Sequence, residues 1–236
     1  DKILSVELSH GGHLTHGSPV SASGMDFTIV HYPMSKKTMQ IDYDVVEKVA
    51  KKEKPKLIIT GYTAYPRSID FKRMGKIAKS VDAYLMADIS HITGLIVGKA
   101  HLSPFPYADV VMTTTHKSLR GPRGAMIICR EKLAEKIFPK VFPGLQGGPH
   151  NHTIAALGVA LTEAAKPSFR AYATQIVKNA KALAESLSDF GFKVLGEKRC
   201  FTKSHQIAIN VLDYSDGGKV EADLENANII VNRQLI

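Results

Sequence analysis

Strand-like and helix-like patterns alternate along the first part of the chain, and this alternation restricts the fold more than any other feature. The predicted elements are, in chain order, helix 42–53, strand 56–60, helix 69–79, strand 83–87, a short helix 91–97 and strand 109–112. Strands that alternate with helices form a mainly parallel sheet covered by helices. The sequence therefore predicts a three-layer α/β/α domain with a mainly parallel sheet.

The remainder of the chain has longer helical patterns and fewer strands. The apolar run 125–129 predicts a strand that follows through a connection short enough to make it antiparallel. The later elements are predicted as helices 152–165 and 168–190 with a break at Pro167, strands 192–195 and 206–211, helix 218–226 and a strand at Ile229. We therefore expect a large domain over 1–165 and part of a small α+β C-terminal domain over 166–236.

Composition excludes several classes of protein. The chain has 236 residues with 44% hydrophobic content, which is enough to bury a substantial core. No run of about 18 apolar residues predicts a membrane span, and no signal-peptide pattern is present. The two cysteines, Cys129 and Cys200, form no metal or redox motif and are expected to be reduced thiols of a cytoplasmic protein.

The net charge of +9 raises nucleic acid as a partner, because a basic face is typical of phosphate binding. The lysines are, however, spread through helical patterns such as 45–52, where a solvated helix face explains them. No helix-turn-helix, zinc-finger or aromatic RNA-binding motif is present. The charge therefore predicts anionic small molecules and no nucleic-acid partner.

Lys117 lies between a β-branched, strand-like run and a turn rich in glycine and proline that extends to Gly124. The strand 109–112 precedes it, so the lysine should follow the carboxyl end of that strand, where α/β sheets bind their ligands. A partly shielded lysine can act there as an amine nucleophile toward an aldehyde. An ordinary loop lysine is the commoner explanation for such a residue alone, so the assignment depends on further groups.

Asp88 is the first of these groups, because it ends the apolar run 83–87. A carboxylate at a strand end can pair with the pyridinium nitrogen of pyridoxal phosphate (PLP), which makes that cofactor an effective electron sink. The alternative is a helix N-cap for a segment that begins near Ser90. One short helix-and-loop unit separates Asp88 from Lys117, so neighbouring strands can present acid and amine to opposite ends of one ring.

Three histidines and three glycines crowd into the turn-rich segment 9–18. Glycine allows close approach of the backbone to a ligand, and imidazole can stack on an aromatic ring. Histidines three residues apart can instead bind a metal, but no cysteine or carboxylate cluster completes a ligand set. We therefore expect no metal here.

The pair Gly147 and Gly148 precedes a long helical pattern. Successive backbone amides in such a turn, next to a helix start, can form an anion site suited to phosphate. A plain turn is the alternative.

Together these motifs resemble those of the serine hydroxymethyltransferases, a family of fold-type I PLP enzymes with an aspartate aminotransferase-like large domain. The segment around Lys117 is similar to the family's lysine signature. Segments 8–18, 88–95 and 146–149 have the family's order and approximate spacing, and the resemblance extends over the whole chain.

The resemblance implies that Lys117 holds PLP as an internal aldimine, that Asp88 binds the pyridine nitrogen and that His13 stacks on the ring. It puts Thr63, where the family usually has serine, and His91 near the phenolic oxygen of the cofactor or near the substrate.

Further matches concern the rest of the pocket. The resemblance implies that Thr114 and His116 flank the lysine in the pocket, Thr114 as a catalytic residue, and that Arg123 lies in a matching turn. Met112 and Ser118 stand where the family often has threonine, and neither change removes a reacting group.

The resemblance also implies contacts beyond one cofactor pocket. Positions that match the family's folate contacts are Leu8, Gly12, His13 and Leu14. Gly147 and Gly148 match the pair that reaches the PLP phosphate of a neighbouring subunit, which predicts a homodimer or dimer of dimers with shared active sites.

Three family residues have no counterpart here: an acid/base glutamate and a tyrosine upstream, and a carboxylate-binding arginine downstream. We therefore expect the chain to be a central fragment of the enzyme, lacking both termini.

The activity implied is a step of one-carbon metabolism. The hydroxymethyl carbon of serine passes reversibly to tetrahydrofolate through a PLP external aldimine, giving glycine and 5,10-methylenetetrahydrofolate. One alternative is a non-catalytic fragment or degenerate PLP-binding scaffold. Another is a related PLP aldolase such as threonine aldolase, which does not need the folate-facing residues.

Overall fold

A computed structural model describes residues 1–35 and 37–234 and contains a central sheet with helices packed on it. The strands are β1 (Lys2–Val6), β2 (Thr28–Tyr32), β3 (Met34–Ser35), β4 (Gln40–Ile41), β5 (Leu57–Thr60), β6 (Tyr84–Asp88), β7 (Val110–Thr114), β8 (Ala125–Cys129), β9 (Lys193–Val194) and β10 (Ile209–Asn210). The α-helices are α1 (Ala22–Asp26), α2 (Tyr43–Glu53), α3 (Phe71–Ser80), α4 (Thr93–Val97), α5 (Glu131–Pro139), α6 (Asn151–Ala164), α7 (Pro167–Asp189) and α8 (Gly217–Asn226).

The central sheet has six strands in the order β2-β1-β5-β6-β7-β8. Neighbouring strands are parallel except for β8, which runs antiparallel to β7. The mainly parallel α/β fold and the antiparallel strand at 125–129 are therefore confirmed. Asp88 pairs in register with Met112, so the carboxyl ends of β6 and β7 lie side by side.

The core lies where the strands meet helices α2, α3, α4 and α7. Ile58 and Leu85 on adjacent strands are fully buried, as are Met74 of α3 and Leu95 of α4. Burial of each such side chain contributes about 1.5–3 kcal/mol. This core holds the carboxyl ends of the parallel strands in fixed positions.

Two aspartates explain why the helices begin where the sequence predicts. Asp42 accepts hydrogen bonds from the backbone N–H groups of Asp44 and Val45 at the start of α2. Asp70 accepts from Arg73 N at the start of α3. Such caps satisfy donors that the first helical turn leaves unpaired.

The segment after residue 166 forms helix α7 and the small antiparallel sheet of β9 and β10. Ala184 of α7 packs with Val194 and Phe201 in a separate cluster, whereas Ala173 of the same helix belongs to the main core. The domain division at residue 165 stays a prediction, because α7 contributes to both clusters.

Three differences from the predicted elements concern strands. The sequence patterns assigned no element to β1 and β2 of the central sheet or to the short pair β3 and β4. Strands β9 and β10 are shorter than predicted. The strand predicted at Ile229 is wrong: residues 228–232 form no strand, and Ile230 is 78% exposed. A β-branched run has the right propensity, but a strand also needs a neighbouring strand to pair with.

Among residues 1–35 and 37–234, no helix is both long enough and apolar enough to cross a membrane.

Candidate functional site

A cavity of about 150 Å³ lies where β1, β5, β6 and β7 end. These four strands are mutually parallel, so their carboxyl ends share one edge of the sheet. The lining residues come from β6 and β7 and from the segments that follow the four strands: His13, Thr15, His16, Tyr62, Thr63, Asp88, Ser90, His91, Met112, Thr114 and Lys117. Both the predicted acid and the predicted amine are among them.

Asp88 is almost fully buried and hydrogen-bonded on both oxygens. His16 Nε2 lies 2.9 Å from its Oδ2, and Ser90 donates to its Oδ1 from the backbone N–H (3.0 Å) and the hydroxyl (2.6 Å). Burial alone would raise the pKa of Asp88, but the hydrogen bonds from His16 and Ser90 outweigh it and lower the pKa to about 2. The carboxylate is therefore ionised at neutral pH.

The helix-cap alternative for Asp88 does not match the structure. Helix α4 begins only at Thr93, and Ile92 is the residue before it. Asp88 instead closes a short turn onto Ser90 with one oxygen and leaves the other for His16.

Lys117 follows β7 and lies beside His91, with 3.2 Å between Lys117 Nζ and His91 Nε2. Burial, followed by the nearby charge of Lys117, lowers the pKa of His91 to about 4. His91 is thus neutral at pH 7, and its Nε2 can accept a hydrogen bond from the lysine. Ser118 Oγ donates to His91 O at 2.9 Å, which ties the lysine turn to the segment after β6.

His13 presents a half-buried ring to the cavity. Its Nδ1 lies 2.8 Å from Thr15 Oγ1, and its ring centroid is 5.7 Å from that of His16. Burial, and next the neighbouring His16, lower the pKa of His13. A neutral imidazole in this position is suited to contact with the face of an aromatic ligand.

Two glycines bring Thr63 to the cavity. A Cβ at Gly61 would lie 2.3 Å from Asp88 O, and one at Gly11 would lie 2.4 Å from Ala64 O. Gly11 also has φ +83°, which disfavours other residues, and its carbonyl accepts from Thr63 N at 2.8 Å. These close backbone contacts hold the loop after β5 against the segment that carries His13.

Two polar groups in the cavity wall make no hydrogen bond to the described residues. Thr63 Oγ1 and Thr114 Oγ1 are buried and have no hydrogen-bond partner among the described residues. Leaving such a group unpaired costs about 1–3 kcal/mol. Two hydroxyls, an ionised carboxylate and an amine fit an aromatic aldehyde with a basic ring nitrogen, and PLP has these features.

No group of three or more metal-binding side chains occurs in the described part of the chain.

Seven of the predicted site residues do not line this cavity: Leu8, Gly12, Leu14, His116, Arg123, Gly147 and Gly148. The two leucines are about half exposed, and the space around the last two glycines is open. Their assignments to folate, to the pocket around the lysine and to a neighbouring subunit stay predictions.

His16 and Ser90 line the cavity, although the sequence motifs did not assign them to the PLP pocket. Ser90 also accepts from Thr114 N at 3.0 Å, so it links the ends of β6 and β7. Its position two residues after Asp88 was a usable signal, because a carboxylate often bonds to a backbone N–H two residues on. No local pattern connects His16 with Asp88, since 72 positions separate them.

Replacing His16 with alanine is expected to destabilise the fold by about 1–3 kcal/mol, because the buried carboxylate of Asp88 loses a donor. Because the pKa of Asp88 is lowered from its ordinary value of 3.8, its carboxylate stabilises the fold at pH values above 3.8. This stabilisation is lost as the pH falls toward 2. Without His16 that pKa rises toward its ordinary value, so this stabilisation should be smaller and the free energy of unfolding should change less as the pH falls below about 4. Urea unfolding between about pH 3 and 7 measures both effects.

The matched control is His152→Ala, because His152 is exposed on α6. Equal free energies of unfolding for the two variants would contradict the stabilising contact between His16 and Asp88.

The whole chain, residues 1–236, matches the family model described as serine hydroxymethyltransferase. It is also 48% identical over 238 residues to a serine hydroxymethyltransferase of Prochlorococcus marinus. The similarity covers 100% of this chain and 56% of that relative, so the chain spans about half of the relative's length.

Proposed function

Because this chain belongs to the serine hydroxymethyltransferase family, we propose that it provides the PLP site for transfer of the hydroxymethyl carbon of serine to tetrahydrofolate. The products are glycine and 5,10-methylenetetrahydrofolate, and the transfer is reversible. The observation that carries the proposal is that Lys117 and Asp88 line one cavity. Asp88 ends β6, and Lys117 follows the adjacent parallel strand β7.

Lys117 and Asp88 have complementary roles in this proposal. Lys117 Nζ is the amine that would hold PLP covalently. Asp88, ionised at neutral pH, would pair with the ring nitrogen and favour its protonated form. When bound, PLP supplies an electron sink for cleavage of the Cα–Cβ bond of serine.

The other cavity residues orient the reactants. His13 contacts the ring face, and the unpartnered hydroxyls of Thr63 and Thr114 supply hydrogen bonds to cofactor or substrate. His91, neutral because its pKa is about 4, accepts a proton or a hydrogen bond beside Lys117.

Folate is assigned to the segment around His13. Leu8 is 46% exposed and Leu14 is 50% exposed, on either side of Gly12. Exposed apolar side chains in the segment that carries His13 are suited to a flat pterin ring, which supports tetrahydrofolate as the second substrate.

A second copy of the chain is proposed as the partner. Helix α6 exposes Ile154 (56%) and Val159 (63%), and Leu145 just before it is 84% exposed. A helix that is apolar on several faces is normally covered. Gly147 and Gly148 lie at the start of this surface, which supports their assignment to the phosphate site of a neighbouring subunit.

The same proposal assigns the protein to the cytoplasm, since Cys129 and Cys200 are not joined in a disulfide.

Addition of PLP and serine to the purified protein, with and without tetrahydrofolate, tests the function. We expect a PLP absorbance band and formation of glycine that requires tetrahydrofolate. Bound PLP without turnover would instead identify a non-catalytic scaffold. Cleavage of threonine that is independent of tetrahydrofolate would identify an aldolase.

A further inference from the structure

A seam of hydrogen bonds joins the loop after β5 to the segment 195–206, which lies far along the chain. Pro66 O accepts from Lys203 N at 2.8 Å and from Thr202 Oγ1 at 3.1 Å. Arg67 donates to Leu195 O at 3.3 Å and also to Phe201 O. The loop that delivers Thr63 to the cavity is thus fixed from outside the large sheet.

Gln206 is the member of this seam nearest the cavity. Its Nε2 donates to Thr63 O at 2.6 Å, and its Oε1 accepts from Tyr65 N at 3.1 Å. One side-chain amide therefore satisfies two backbone groups that flank Ala64. Only a group that donates and accepts at the same time can make both bonds.

The opposite side of the same loop is held by Gly11, whose carbonyl accepts from Thr63 N. Thr63 is bonded through N–H to the segment of His13 and through C=O to Gln206. Its backbone orientation, and hence the direction of its hydroxyl, depends on both contacts. That hydroxyl is one of the two in the cavity wall that have no hydrogen-bond partner among the described residues.

The residue next to Gln206 also approaches the cavity. His205 has its ring parallel to that of His91, with an interplanar angle of 10° and centroids 6.2 Å apart. His91 in turn contacts Lys117. The segment 195–206 thus contacts two residues that line the cavity, Thr63 and His91.

We propose that Gln206 is a positioning residue that clamps the loop Thr63–Tyr65 and so sets the Thr63 hydroxyl toward PLP. The identity of the ligand as PLP rests on the proposed function. The hydrogen bonds between Gln206 and the loop do not depend on any ligand. The clamp makes the cofactor pocket depend on a residue more than 140 positions from Thr63.

Hydrogen exchange of the protein without PLP tests the clamp. Gln206→Met removes both bonds and is expected to speed exchange of the peptide that contains Tyr65 N. Gln206→Glu retains an acceptor for Tyr65 N but loses the donor to Thr63 O, so that amide should stay protected. Unchanged protection of this peptide in Gln206→Met would overturn the clamp.

A double-mutant cycle tests whether the clamp acts through Thr63. Gln206→Glu should weaken PLP binding about tenfold, the size of one net hydrogen bond. In a Thr63→Val background the same change should have an effect of less than about twofold, because the hydroxyl is already absent. Absorbance titration with PLP measures both affinities.

Gln175→Glu is the matched control, since Gln175 is exposed on α7 and bonds only to Asn179 in the described side-chain contacts. It should leave exchange and PLP affinity unchanged. A tenfold loss in both the native and the Thr63→Val backgrounds would overturn positioning through Thr63. Absence of PLP binding by the unaltered protein would refute the proposed function, while hydrogen exchange would still decide the clamp.

Discussion

Lys117→Ala is expected to abolish covalent attachment of PLP and to lower serine turnover by about three orders of magnitude or more, as loss of a nucleophile does. Lys117 Nζ is the amine that lines the cavity, next to the neutral ring of His91. Borohydride reduction followed by peptide mapping measures attachment. In the unaltered protein, the label should lie on Lys117.

Lys76→Ala is the control, because Lys76 is an exposed lysine of α3. It should retain both the PLP absorbance and the label. Recovery of the label on a lysine other than Lys117 in the unaltered protein would contradict the assignment.

Asp88→Asn is expected to leave PLP bound but to lower turnover by about 10²- to 10⁴-fold, the range for loss of a proton-holding group. The amide has nearly the same shape but no charge to hold the proton on the ring nitrogen. In the unaltered protein the pKa of Asp88 is about 2, so Asp88 should cause no acid limb in the rate above about pH 4. PLP titration and turnover as a function of pH measure these effects.

Asp189→Asn provides the comparison, since Asp189 is exposed at the end of α7. If Asp88→Asn turned over serine as fast as the unaltered protein, the role of the carboxylate in holding the ring proton would be refuted. Loss of PLP binding together with turnover would show that Asp88 holds the cofactor rather than activating it.

Most of the sheet was predictable because its determinants are local. Strands β5, β6 and β7 consist largely of apolar residues, and caps at Asp42 and Asp70 start the helices that precede β5 and β6. The sequence also predicted that Asp88 and Lys117 would face one site, since neighbouring parallel strands end at one edge. The strand at Ile229 failed because propensity alone does not supply a pairing partner.

The surroundings of the reacting groups were less predictable. His13 and His91 were assigned from motifs, and both line the cavity. His16 was not assigned, although its contact with Asp88 helps lower the pKa of that carboxyl. Gln206 lies in a strand-like pattern with no feature that points to the loop after β5.

The sequence by itself determined the α/β class and the order of the main elements, and it predicted that Lys117 and Asp88 lie at neighbouring strand ends. These features depend on side-chain pattern and capping within a few residues of each other. Only the tertiary structure decided that His16 bonds to Asp88 and that Gln206 clamps the loop of Thr63. Such contacts depend on strand order and on the packing of segments that are distant along the chain, which local pattern does not specify.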